Sequence, residues 1–83
     1  MKTQHSKLFT RKRVVRNFFA RKRDAAGSFH TVDGTLYSYN LPLAKLDDSG
    51  RAVALPGLEE KHSRTTSNHQ TYARMAVTTP GYF

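Results

Sequence analysis

The chain has no cysteine and no tryptophan, and only six acidic side chains stand against fourteen Lys and Arg. Without cysteine there is no disulfide staple, no thiolate zinc site and no thiol nucleophile, a composition that fits a reducing compartment. Apolar runs are short, as in Phe18-Phe19-Ala20 and Ala52 to Leu55, which excludes a membrane span and a secretory h-region. There is no Gly-x-Ser-x-Gly elbow and no phosphate-cradling glycine-rich loop. The histidines His5, His30, His62 and His69 show no i, i+4 pair and no adjacent carboxylate of the kind a zinc site uses. The expectation is a non-enzymatic protein with no cofactor and no metal.

What the chain does have is charge, unevenly placed. Lys2, Lys7, Arg11, Lys12, Arg13, Arg16, Arg21, Lys22 and Arg23 crowd the first 23 positions, with Asp24 the only acid near them. From residue 25 onward five bases and five acids cancel, so the formal charge of +8 belongs almost wholly to one end. The sequence reads as a basic amphipathic arm, residues 1–24, joined to a neutral body, residues 25–83. Eighty-three residues permit one thin core, and a chain this small without staples gains from a partner, including a second copy as a homodimer.

Within the arm, Leu8, Val15, Phe18 and Phe19 fall on one side of a helix with Val14 at its margin, interrupted by Arg11 and Lys22. Ser6 or Thr10 would cap its start, and Ala25-Ala26-Gly27 would stop it. Val14, Val15, Phe18 and Phe19 are also strand-favouring, so a strand over Arg13 to Phe19 remains open.

The body opens on Ser28 to Val32 and Thr35 to Tyr39, joined by Asp33-Gly34, the pair that a type I′ hairpin turn favours. That register sets Val32 against Thr35 and His30 against Tyr37, placing His30, Val32, Tyr37 and Tyr39 on one face, continued by Leu41. Pro42 signals an edge, a bulge or a bend. Asp47-Asp48-Ser49-Gly50 is a turn cluster, and Arg51 to Leu55 returns as a third strand ended by Pro56-Gly57. Thr66 or Ser67 would cap a short helix, Ser67 with Gln70 having capping-box form. Tyr72, Met75 and Ala76 would be its inner stripe. The expected fold is α+β: a three-stranded antiparallel meander packed with a short C-terminal helix, plus the basic N-terminal helix or arm.

Tyr37-Ser38-Tyr39-Asn40-Leu41-Pro42-Leu43-Ala44, followed by Ser63-Arg64-Thr65-Thr66-Ser67-Asn68-His69-Gln70, resembles a pattern in small uncharacterised proteins of bacteriophages and mobile elements. There a Ser-Tyr-x-Thr-x-(Ile/Val)-Ala strand precedes a Ser-x-Thr-Thr-x-x-His helix start. Leu41 and Pro42 depart from it, and the basic arm is not part of it. The resemblance implies a phage-type origin and a cytoplasmic setting in a bacterial host, and it admits an anti-CRISPR-type counter-defence role.

The candidate contact residues are Arg11, Lys12, Arg13, Arg16, Arg21, Lys22 and Arg23, whose charge displaces counterions from phosphates. Phe18 and Phe19 would either stack on unpaired bases or hold the segment on the body. Arg64, Thr65, Thr66 and Ser67 form a candidate anion site at a helix start, although simple capping explains the same residues and is the commoner reason for hydroxyls there. The expected partner is nucleic acid, or an acidic surface of a host protein or ribonucleoprotein complex.

Overall fold

A computed structural model describes residues 3–60 and 63–83, with side chains from Thr10 onward. Lys2 and His62 lie outside the described residues, as do the side chains of His5, Ser6, Lys7, Leu8 and Phe9. In chain order the elements are helix α1 (Thr3–Phe19), strands β1 (Asp24–Ala26), β2 (Phe29–Val32), β3 (Thr35–Ser38), β4 (Leu41–Leu46) and β5 (Ala52–Ala54), then helix α2 (Arg64–Thr78). Single 3-10 turns at Pro56–Glu59 and Pro80–Tyr82 flank α2. The fold is α+β, as expected, but the meander has five antiparallel strands rather than three, in the order β1-β2-β3-β4-β5.

Two strands were hidden in the sequence for different reasons. Asp24-Ala25-Ala26 carries no β-branched or aromatic residue, yet it pairs with β2, Ala26 opposite Phe29, around a tight turn where Gly27 takes φ +64°. Thus Ala25-Ala26-Gly27 is the first hairpin and not the helix stop. Helix α1 instead ends earlier, by a Schellman motif: Lys22 N–H donates to Asn17 O and Arg21 N–H to Phe18 O. Arg21 holds φ +58° at the position glycine usually fills, and its guanidinium donates to Asp47 O at 2.9 Å. That bond offsets part of the cost of the left-handed conformation, roughly 1–2 kcal/mol in a residue with a Cβ. The second hidden strand, β4, follows a reversal at Tyr39-Asn40, where Tyr39 takes φ +57°.

The central hairpin has the expected register, Val32 opposite Thr35 and His30 opposite Tyr37, with positive φ at both Asp33 and Gly34. Pro42 sits at a bulge: Leu36 pairs with Ala44 and Tyr37 with Pro42, the register shifting between them. Face assignment differs from expectation at the end of the hairpin. His30 and Tyr37 do share a face and stack 5.0 Å apart, 7° from parallel. Tyr39, however, lies in the reversal and is exposed, and Leu41 opposes Ser38 on the other side of the sheet.

That other side is the core. Phe29, Thr31, Leu36 and Ser38 alternate with half-buried neighbours, and both helices pack over them. Val14, Val15 and Phe18 of α1 are fully buried in one cluster with Phe29, Leu36, Leu43, Leu58, Ala73 and Ala76. The amphipathic spacing read in the N-terminal segment is therefore a packing face, and Val14 lies at its centre rather than its margin.

Helix α2 corrects two further expectations. Its N-cap is Ser63, whose Oγ accepts from Thr66 N–H at 3.2 Å, so neither Thr66 nor Ser67 caps it. Gln70, free of any capping box, turns inward and donates to Gly57 O (2.9 Å) and Glu60 O (2.6 Å). The buried stripe is Thr66, His69, Gln70, Ala73 and Ala76, with Tyr72 and Met75 only half-buried beside it. A Cβ on Gly57 would strike the Pro42 carbonyl oxygen and come within 2.8 Å of the Leu41 side chain. Gly57→Ala is expected to lower stability by about 1–3 kcal/mol, read as a lower denaturation midpoint, because backbone on both sides must shift.

Candidate functional site

The basic residues occupy two kinds of position. Arg13 is structural: its Nε and Nη2 bracket the Asp24 carboxylate at 2.8 and 3.0 Å, and Nη2 also donates to Ala25 O, tying α1 to the first strand. Asn17 Nδ2 donates to the same carboxylate at 2.9 Å. Arg13 foremost, with Asn17 and the Ala25 N–H, holds the Asp24 carboxyl down to about 2. Asp24, the only acid near the arm, is spent on this contact.

The other cations whose side chains are described divide between those that rest on a neighbouring group and those that do not. Lys12 Nζ lies 4.3 Å from the Tyr82 ring centre, and the Arg11 guanidinium 5.8 Å from that of Tyr72. Arg16, itself exposed, donates from Nε to Phe83 O at 3.1 Å. Arg21 spans to Asp47 O, as above. Lys22 and Arg23 are exposed and make no side-chain hydrogen bond or ion pair among the described residues. Phe18 is fully buried. It offers no face to a base and takes the packing role. Phe19 is half-buried, packing 5.2 Å from Phe18 and 6.5 Å from Phe83.

At the start of α2, Arg64, Thr65 and Ser67 are exposed, whereas Thr66 is buried and engaged. Thr66 N–H is satisfied by Ser63 Oγ, and Ser67 N–H by Ser63 O. Of the first-turn N–H groups that could face an anion, that of Thr66 is thereby used, and Ser67 N–H belongs to the helix ladder. Thr65 instead borders a recess of about 370 Å³ with Arg11, Ser28 and His69.

Sequence reasoning missed a buried polar cluster. Ser38 Oγ lies 2.6 Å from His69 Nδ1 and 3.3 Å from Thr66 Oγ1, while Phe29 stacks on the imidazole at 4.8 Å. The two segments that carry the sequence resemblance thus converge, Ser38 from one and Ser63, Thr66, His69 and Gln70 from the other. Burial, and secondarily the Arg11 charge, pushes the His69 pKa down to about 4, so the ring is neutral at pH 7. A serine hydroxyl this close to an imidazole has the reach of a nucleophile and its base. Here, however, both side chains are at most 2% exposed, and among the described residues no carboxylate bonds His69 to orient it. The arrangement satisfies polar groups across the interface between sheet and helix. Its signal in the sequence was the alternation of Ser38 with Leu36 and the i, i+3, i+4 spacing of Thr66, His69 and Gln70. Those residues are polar, so a search for apolar periodicity passes over them.

Among the described residues, no group of three or more His, Asp or Glu is placed to hold a metal ion, and no helix is long and apolar enough to cross a membrane. Comparison of the chain with protein-family models, curated proteins and solved structures returned no match in any of the three.

Proposed function

We propose that this is a non-enzymatic accessory protein that binds nucleic acid through the basic surface of α1 and the turn that follows it. The observation carrying the reading is the segregation of charge: nine bases and one acid in the first 24 positions, with that acid already paired to Arg13. An ordinary soluble surface intersperses both signs, and a one-signed field is the footprint of a polyanionic partner. Lys22 and Arg23, exposed and unpartnered, are the leading contacts, with Arg11, Lys12, Arg16 and Arg21 beside them. Arg13 is withdrawn from the set because its charge is neutralised by Asp24. A phage-type origin and action in the cytoplasm of a bacterial host belong to this reading through the sequence resemblance.

If the six remaining cations each meet a phosphate of duplex DNA, log K falls with log salt at a slope of about −5. Substituting glutamine at Arg21, Lys22 and Arg23 together is expected to flatten that slope by about 3 and to weaken binding at low salt, measured by fluorescence anisotropy across a salt series with DNA and RNA. No binding to either polymer at low salt would refute the reading. It would favour the second one, an inhibitor docking through the same cations onto an acidic surface of a host defence complex.

A further inference from the structure

A second feature lies at the α2 end of the molecule, sharing only Arg16 with the basic surface. A cleft of about 740 Å³ opens between the ends of α1 and α2 and the turn leading into β5, a size typical of ligand sites. Phe19, Ala52, Val77 and Phe83 give it apolar walls, and Arg16 and Arg51 stand at its margin. Ala52 is also the first residue of an unpaired sheet edge, since β5 is the last strand of the meander. Leu55 N–H donates to Leu43 O and Val53 pairs with Lys45, so residues 53 and 55 spend their backbone groups on β4, and Arg51 spends its own on Asp47. Ala52 and Ala54 consequently direct N–H and C=O outward. Ala54 and Val53 are exposed, the latter at 40%. Asp47, in the turn beside Arg51, accepts from Ser49 N–H, Ser49 Oγ and Arg51 N–H. Arg16 is tied through Nε to Phe83 O, and both Arg16 and Arg51 line the cleft.

We propose that β5 and this cleft together bind an extended peptide segment of a partner protein, which adds as a sixth strand along Ala52–Ala54, sets a large apolar side chain into the cleft and presents an Asp or Glu to Arg16 and Arg51. Main-chain pairing at a free edge supplies affinity, and the pocket beside it supplies selection among side chains. Carboxylate recognition by paired guanidinium groups sets the sign of the flanking residue. No proline and no charged side chain interrupts Ala52–Ala54, two of the devices that would otherwise block an added strand.

The test uses the full chain, immobilised, to select from random displayed peptides, followed by synthesis of the enriched sequence. Expected are peptides with an acid near a large apolar residue. Their affinity should fall about tenfold or more for Ala54→Pro, which removes an outward N–H without touching the β4 ladder, and for Arg51→Glu. Peptide N-methylated on the alternate residues facing β5 should fail on the unmodified protein, a control that needs no variant to fold. Enrichment of nothing, of peptides lacking that pattern, or of peptides bound equally by Ala54→Pro overturns the proposal. So does sedimentation showing a dimer of this chain that Ala54→Pro dissolves, because the edge is then taken by a second copy. Loss of nucleic-acid binding in the glutamine variants leaves peptide binding unchanged, so the two readings fail separately.

Discussion

Phe18→Ala is expected to remove about 3–5 kcal/mol of stability, and a chain lacking residues 1–20 is expected not to fold at all. Phe18 is fully buried with Val14 and Val15 against Phe29 and Leu36, and a domain of this size has only about 5–15 kcal/mol to lose. Circular dichroism melts of the two proteins check this. A truncated chain that still melts cooperatively would show the sheet and α2 to be self-sufficient. The outcome matters for function, because the cations and the core share one helix. Binding must therefore be dissected by surface substitutions at Arg21, Lys22 and Arg23, and not by deleting the basic segment, whose loss would abolish binding through unfolding alone.

Acid is expected to weaken the fold in a window set by His69. Its folded pKa, about 4, lies below the ordinary 6.5 because the neutral ring is buried against Phe29 and Ser38. The unfolded chain takes up a proton as pH falls through 6.5 and the folded chain resists it until about 4. Stability is therefore full above pH 6.5, declines between 6.5 and about 4, and does not fall further on this account below that. The sum is about 3 kcal/mol. Urea midpoints measured from pH 7.5 to pH 4 should show the decline, and His69→Gln should lower the midpoint at pH 7 while removing the His69 share of the slope. A variant whose midpoint keeps the full pH dependence would place the titration elsewhere. Asp24 acts in a separate, lower window, between its usual value of 3.8 and about 2, where protonation releases Arg13.

The parts of this fold that announced themselves did so through local chemistry. Asp33-Gly34 fixed a turn that only residues tolerating positive φ can make, so its hairpin and register could be read directly. Asp47 to Gly50 worked in the same way, with Gly50 at φ +87°, and Pro56-Gly57 marked the end of β5 through the proline that opens a 3-10 turn. Strand β1 left no trace because Asp24-Ala25-Ala26 is ordered by its neighbours: β2 supplies the ladder, and Arg13 supplies the charge that fixes Asp24. The end of α1 was misplaced because Arg21 stands where glycine is the usual cue. Of the inner stripe of α2 only Ala76 was read, because Thr66, His69 and Gln70 are buried with their polar atoms satisfied, a condition visible only when Ser38, Ser63 and the Gly57 and Glu60 carbonyls are in place. For the candidate interface, charge count identified the segment, but the division of labour between Arg13 and its neighbours depends on contacts between residues 11 positions apart or more.

The strand order has one more consequence, for how the chain assembles. Every strand pairs with its immediate predecessor or successor, so each hairpin can zip as it emerges during synthesis, with little loop entropy to overcome. Only α2, the last long element, must reach back to strands made much earlier. Until it arrives, Phe29 and Leu36 are covered by α1 alone, and the part of the core that α2 closes stays open to water.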